Sequence, residues 1–263
     1  MEEFLGRGSF GVVIKARRNN SLYAIKALIN KAEDVELFLA HKLEADILSR
    51  LNHPRIPGFI DAFTFKDVHY IIQEYIEGLP LSYHIHNGHR FDEGGVKPLL
   101  FQLLTILDYL HCPPQKENAV VHRDLRLSNI LINSSKIYLL DFGLARYLNP
   151  ARFPHVPDPA PGNAGSDNST PNCLNYSAAN RIPGTETYRL LRREILPGSD
   201  LFGVGVVGVD LFTNLIENPN LNEPWQKVLP LSEDFINFLE QLLSRNNGFK
   251  SAPEAMLYLE LIQ

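Results

Sequence analysis

Two features of the sequence predict an α+β fold in two lobes. The first third alternates short β-branched and aromatic runs with polar turns around one helical stretch. After Glu77-Gly78 the pattern changes to apolar repeats at helical spacing. Strands before that point and helices after it would build a β-rich lobe over residues 1–76 and a mainly helical lobe over residues 77–263.

The elements follow in order. The runs 10–16 and 22–28 read as strands joined by Arg17-Arg18-Asn19-Asn20-Ser21. The chain reaches its glycine-rich stretch almost at once, so a first strand is expected to be clipped. A helix is predicted from about Ala32 to Leu51, with Ala40, Glu44, Ile47, Leu48 and Leu51 on one face. His53-Pro54 and Pro57-Gly58 end it. The runs 59–65 and 68–75 form a second strand pair around Lys66-Asp67. In the second lobe, 96–111 is a strong helix in which Leu99, Leu100, Leu103, Leu104, Leu107 and Leu110 repeat. Short β-like pieces at 130–132 and 137–140 come next. The run 201–215 is apolar nearly all round and reads as a buried helix, and 233–244 and 253–262 are closing helices. Residues 149–183, with seven prolines in 35 positions, should form a long exposed loop.

Composition narrows the function classes. A net charge of −5 argues against a general polyanion binder, so no nucleic-acid partner is expected. Two cysteines, Cys112 and Cys173, exclude a disulfide framework and a Cys-rich zinc site. Cys112 is expected to be buried or to cap its helix. The start has no basic region followed by an apolar one. Asp210 interrupts the most apolar run, which falls far short of the ~20 residues a spanning helix needs. The expectation is a cytoplasmic protein without a membrane partner.

The chemistry is carried by four motifs. The first is Gly6-Arg-Gly8-Ser-Phe-Gly11-Val-Val13, whose glycines let backbone N–H groups approach phosphate oxygens. The same spelling marks dinucleotide-binding turns, but those open a helix, and here a strand-like run follows. Alone, the motif fits a bland glycine-rich hairpin equally well. The second is Tyr23-Ala24-Ile25-Lys26, in which a lysine on an apolar strand needs an anionic partner. Glu44, on the apolar face of the following helix, is the natural one, against the alternative of a solvated helix glutamate. The third and fourth are His122-Arg123-Asp124-Leu125-Arg126-Leu127-Ser128-Asn129 and Asp141-Phe142-Gly143.

In these motifs, in this order and at this spacing, the chain resembles the eukaryotic-like (Hanks-type) serine/threonine protein kinases, in a compact form with a bacterial look. The resemblance runs from Phe4 to about Leu259 and implies a role for each position. Gly6, Gly8 and Gly11 would cover the phosphates of ATP. Val13, Ala24 and Leu131 would sandwich the adenine, with Glu74 and Ile76 offering hinge hydrogen bonds and Gln73 as gatekeeper. Lys26, positioned by Glu44, would hold the α- and β-phosphates. Asp124 would accept the substrate hydroxyl proton, and Asn129 and Asp141 would bind Mg2+, with Mn2+ as a substitute. Arg126 stands where serine/threonine kinases usually carry lysine. Gly184-Thr185-Glu186-Thr187-Tyr188 resembles their G-T-x-x-Y, which gives Thr185 the task of bracing Asp124 and Arg126. Asp200 would anchor the catalytic loop. Arg123 would bind a phosphorylated Ser166, Ser169, Thr170, Tyr176 or Ser177, unless the insert is unmodified. His84, His86 and His89 read as exposed side chains, since no Cys or carboxylate completes a metal set.

The A-P-E motif of the family is absent, and the region before Asp200 and the stretch 214–231 are short, which trims the substrate platform. The resemblance therefore implies transfer of phosphate from Mg-ATP to a Ser/Thr hydroxyl of a protein substrate. The alternative is a nucleotide-binding pseudokinase acting as scaffold or regulator. A small-molecule kinase is disfavoured by His122-Arg123-Asp124 and the intact Asp141-Phe142-Gly143.

Overall fold

Tight polar turns and β-branched runs shape the N-terminal sheet. The structure, a computed structural model, describes residues 2–8, 11–28, 35–157, 194–217, 220, 223–244 and 246–262. Strands β1 (Glu3–Gly8), β2 (Gly11–Arg18), β3 (Ser21–Leu28), β4 (Phe59–Phe65) and β5 (Val68–Glu74) form one antiparallel sheet in the order β1-β2-β3-β5-β4. Between β4 and β5, Lys66 and Asp67 both take left-handed φ, 49° and 60°, as a two-residue hairpin with the twist of its strands requires.

The expected clipping of the first strand is overturned. β1 is six residues long and pairs Glu3 with Lys15 through to Gly8 with Gly11. Its apolar residues Phe4 and Leu5 are adjacent and both exposed, so no alternating pattern betrays the strand. Ion pairs of Glu3 with Lys15 and of Glu2 with Arg17 stitch this edge.

Helix α1 (Val35–Arg50) lies against β4 and β5 and buries His41, Leu43, Glu44, Ile47 and Leu48. The predicted start at Ala32 lies outside the described residues. After β6 (Leu79–Pro80) and the short α2 (Leu81–His86), α3 (Glu93–His111) runs through the second half as its axis. It begins three residues before the apolar repeat because the Asp92 carboxylate accepts the Gly95 N–H at 2.8 Å and caps the helix there. At its other end Cys112 is the C-cap and is exposed, so of the two expectations for this residue the structure shows the cap and not burial.

β7 (Val120–Val121) pairs with β10 (Arg146–Tyr147), and β8 (Ile130–Asn133) joins β6 to β9 (Lys136–Leu139). These small sheets frame the catalytic-loop motif. Beneath it lies α4 (Pro197–Leu211), buried on nearly every side as its sequence predicts. A Cβ at Gly203 would stand 2.9 Å from Leu125 Cβ, so only glycine lets this helix approach the loop so closely. The helix stops at Leu211 rather than Leu215 because the chain tightens into Phe212–Val209 and Thr213–Asp210 turns. The short α5 (Trp225–Val228), then α6 (Glu233–Leu242) and α7 (Ala252–Leu261), complete the bundle, with Ser232 and Ser251 as N-caps of the last two. Phe212, Phe235, Phe238 and the α3 leucines form its core. Each side chain of this size, fully buried, contributes ~2 kcal/mol before chain entropy is counted.

The proline-rich stretch opens with a 3-10 turn over Pro150–Arg152, and residues 158–193, including most of the predicted loop, lie outside the described residues. Among the described residues no helix is long and apolar enough to cross a membrane.

Candidate active site

The sheet assembles one wall of the site through its register. Val13 stands opposite Lys26 between β2 and β3, and Ala24 stands opposite Gln73 between β3 and β5. Residues directly opposite share a face, as do residues two apart on a strand, so Val13, Ala24, Lys26 and Gln73 all lie on one face. Gln73 Nε2 lies 3.4 Å from the Pro57 carbonyl. At the end of β5 the Glu74 N–H donates to Gly58 O at 2.8 Å. Ile76 is half-buried in the segment that leads to β6. Leu131, on β8, is buried.

The glycine-rich hairpin has one position that only glycine can fill. Gly11 has φ +137°, and a Cβ there would lie 2.1 Å from Ala27 O. Gly6 has open space around it, and Gly8 closes the β1–β2 ladder opposite Gly11. Ser9 and Phe10, the tip of this hairpin, lie outside the described residues.

Lys26 has the partners its burial demands. Its Nζ lies 2.7 and 2.9 Å from the two Glu44 oxygens and 2.8 Å from Asp141 Oδ1. Lys26 is 9% exposed and Glu44 3%, so an ammonium without these carboxylates would cost several kcal/mol. Burial works against the charged amine, but Asp141 and Glu44 outweigh it and hold its pKa above the ordinary lysine value. Burial likewise opposes ionisation of Asp141, yet Lys26 and the Gly143 N–H keep that carboxyl below its usual range. The predicted Lys26–Glu44 pair is thus present, and Asp141 joins it.

The catalytic loop hangs from a buried carboxylate. The N–H groups of His122 and Arg123 donate to Asp200 Oδ2 and Oδ1, each at 2.8 Å, and His111 Nε2 lies 2.9 Å from Oδ2. Burial would raise the pKa of Asp200, 1% exposed, but His111, His122 and the Arg123 N–H keep it below the usual value. Sequence reasoning found Asp200 and missed His111; a histidine in the last turn of an apolar helix was the available signal, since a buried imidazole needs a partner. Arg123 takes φ 65° and Asp141 φ 57°, left-handed conformations that cost ~1 kcal/mol or more each in a side-chain-bearing residue.

His122 links the loop to the Asp141 segment. Its Nδ1 accepts the Asp124 N–H at 3.2 Å, so Nε2 carries the proton and donates to Leu140 O at 3.0 Å. Its ring stands edge-on to Phe142, with centroids 4.8 Å apart. Asn129 Nδ2 donates to Asp124 Oδ2 at 3.0 Å and to Asp124 O at 2.9 Å, which orients both groups. The Leu140 N–H returns to Asn129 O at 2.8 Å. Asn129 is therefore tied to Asp124 by its amide and to Leu140, the residue before Asp141, by its carbonyl. An amide and a carboxylate of this kind supply hard oxygen ligands that suit Mg2+ or Mn2+, which take the rest of their shell from water or phosphate.

Arg126 is exposed on the loop. Thr185, the proposed brace, and Ser166, Ser169, Thr170, Tyr176 and Ser177 lie outside the described residues. The His84 and His89 rings stand 5.9 Å apart, and among the described residues no group of three His, Cys, Asp or Glu side chains is placed to hold a metal by itself.

Comparison with known proteins agrees with this geometry. A family model described as the protein kinase domain matches residues 1–257. The chain is 27% identical over 276 residues to serine/threonine-protein kinase B of Synechocystis sp., covering 98% of this chain and 45% of that protein. It is 32% identical over 160 residues to a probable serine/threonine-protein kinase, YbdM, of Bacillus subtilis, covering 59% of this chain and 60% of the relative. It is 28% identical over 264 residues to a RAC family serine/threonine-protein kinase homolog of Dictyostelium discoideum, covering 92% of this chain and 52% of the relative. The chain thus spans about half the length of these curated relatives.

Proposed function

The chain belongs to the protein kinase family, and from that premise we propose that it transfers the γ-phosphate of Mg-ATP to a serine or threonine hydroxyl of a protein substrate. The observation that carries this reading is Lys26 held by Glu44 and Asp141 at 2.7–2.9 Å. A lysine so fixed presents a rigid positive charge at the face shared with Val13, Ala24 and Gln73. Phosphoryl transfer leaves little covalent chemistry for a protein to do, so placing charge is most of catalysis.

The roles divide as follows. Val13, Ala24 and Leu131 bound an adenine slot, and the Glu74 carbonyl and Ile76 backbone give its hydrogen bonds, with Gln73 at its rear. Gly6, Gly8 and Gly11 lie over the phosphates, and Lys26 takes the α- and β-phosphates. Asn129 and Asp141 would hold the cation, Mg2+ or Mn2+, which would supply neutralisation of phosphate charge. Asp124 accepts the proton of the attacking hydroxyl, whose oxygen bonds to the γ-phosphorus as the bond to ADP breaks. Arg126 and Thr185 steady that exchange from the substrate side. The division between lobes falls at Ile76–Glu77, and the setting is the cytoplasm.

A pseudokinase reading is favoured by one observation, the missing A-P-E motif. The test is incubation with labelled Mg-ATP and a generic protein substrate beside Asp124→Asn, followed by phosphoamino-acid analysis. Label on serine or threonine that the substitution removes is the expected result. Nucleotide binding without transfer would replace the enzyme with a scaffold, and label on tyrosine would overturn the specificity.

A further inference from the structure

Glu44 must stay against Lys26 for the site to be complete, yet it sits on α1, a helix that no covalent feature fixes to the second half of the chain. Two residues further along α1, Asp46 faces the other way. Its Oδ2 accepts the hydroxyl of Tyr147 at 2.7 Å, a partner 101 positions away. Arg50, one turn on, holds the same carboxylate, with Nη2 2.9 Å from Oδ1. Tyr147 is 4% exposed and lies on β10, six residues after Asp141. Across the ladder it faces Val120, two residues before His122. The Arg152 guanidinium covers its ring at 5.9 Å. Burial and the Asp46 carboxylate both raise the pKa of this phenol, so it remains a donor.

We propose that Tyr147 is a positioning residue: its hydroxyl, through Asp46, latches α1 to the strand leading from Asp141 and so keeps Glu44 on Lys26. Both ends of the latch lie close to the parts they join. Asp46 lies two residues from Glu44, at nearly the same level of α1 but on the opposite face, so the helix is pinned from two sides and the Tyr147 bond restrains the rotation or sliding that would carry Glu44 off Lys26. β10 is continuous with the Asp141 segment and is paired to the strand that feeds the catalytic loop. One hydrogen bond to a charged acceptor can therefore tie the lysine–glutamate pair to the order of both loops. This rests on the phosphoryl-transfer reading only for its consequence in turnover; the effect on Lys26 is independent of it.

The experiment compares wild type, Tyr147→Phe, Asp46→Asn and the double variant. Two readouts are taken: methylation of Lys26 by formaldehyde and a borohydride, followed by mass spectrometry, and steady-state turnover against ATP concentration. Tyr147→Phe keeps the ring and loses only the hydroxyl, and Asp46→Asn sits at a more solvent-accessible end, so one variant serves if the other misfolds. Loss of one bond to a charged group should speed Lys26 methylation and lower kcat/KM for ATP by roughly tenfold. The double variant should be no worse than Asp46→Asn alone, which also loses the Arg50 pair, since Tyr147→Phe then has no further bond to remove. Lys26 reactivity equal to wild type in either variant, or strictly additive losses, would overturn the proposal. A wild type that transfers no phosphate would end the phosphoryl-transfer reading, and Lys26 reactivity would still decide the latch.

Discussion

Two parts of the site are held in opposite ways. The catalytic loop is bound through its backbone to Asp200, buried among His111, His122 and Arg123, with each N–H at 2.8 Å. Lys26 and Glu44 meet through side chains that reach across from a strand and a helix. Backbone bonds to a fully buried carboxylate leave little freedom, and they sustain a left-handed φ of 65° at Arg123. A side-chain pair can part when its helix moves. The loop that carries Asp124 is thus built into the fold through its backbone, while the Lys26–Glu44 pair is assembled from side chains and open to adjustment.

This contrast can be broken from either side. The largest effect is expected from Asp200→Ala. It strands two buried N–H groups and an imidazole, and should cost about 3–5 kcal/mol and lower Tm by roughly 10 °C in a thermal melt. A melt within two degrees of wild type would show that the loop does not hang from Asp200. Glu44→Gln should do the reverse. It leaves Lys26 with Asp141, so the melt changes little while kcat/KM for ATP falls by about 10- to 100-fold, of the order of removing one positioned charge contact. Equal losses in both measurements would erase the distinction.

A pH titration comes next. Burial, then the nearby charges of Lys26 and His69, push the pKa of His41 on α1 down from 6.5 to about 4. The unfolded chain therefore binds a proton that the folded chain refuses between those values. Stability is retained above pH 6.5 and falls as the pH drops toward 4, by on the order of 2 kcal/mol. His41→Leu should flatten that slope in urea melts at pH 7 and pH 5, and an unchanged slope would assign it elsewhere. The smallest effect is expected at Cys112, an exposed C-cap, where Cys112→Ser should shift stability by less than about 0.5 kcal/mol.

Much of this was legible from the residues. Alternating runs gave the hairpins of β2, β3, β4 and β5, and a buried-looking strand lysine called for Glu44. The resemblance carried by residues 122–129 and Asp141-Phe142-Gly143 singled out the loop that the structure ties to Asp200. What escaped had no local signature. β1 carries adjacent exposed apolar residues, and β6, β7 and β10 are two-residue strands too short for any period to show. The onset of α3 is set by the Asp92 cap rather than by apolar repeats. The pairing of His111 with Asp200 and of Tyr147 with Asp46 spans 89 and 101 positions, so folding alone brings each together. For Cys112 the sequence left burial and capping open, and the fold decides for the exposed cap.

The imidazole of His122 works as a gauge block. One ring nitrogen meets the N–H of Asp124 and the other meets the carbonyl of Leu140, the residue before Asp141. The spacing between the Asp124 N–H and the Leu140 carbonyl is therefore set by the width of an aromatic ring, a dimension that no rotamer can change.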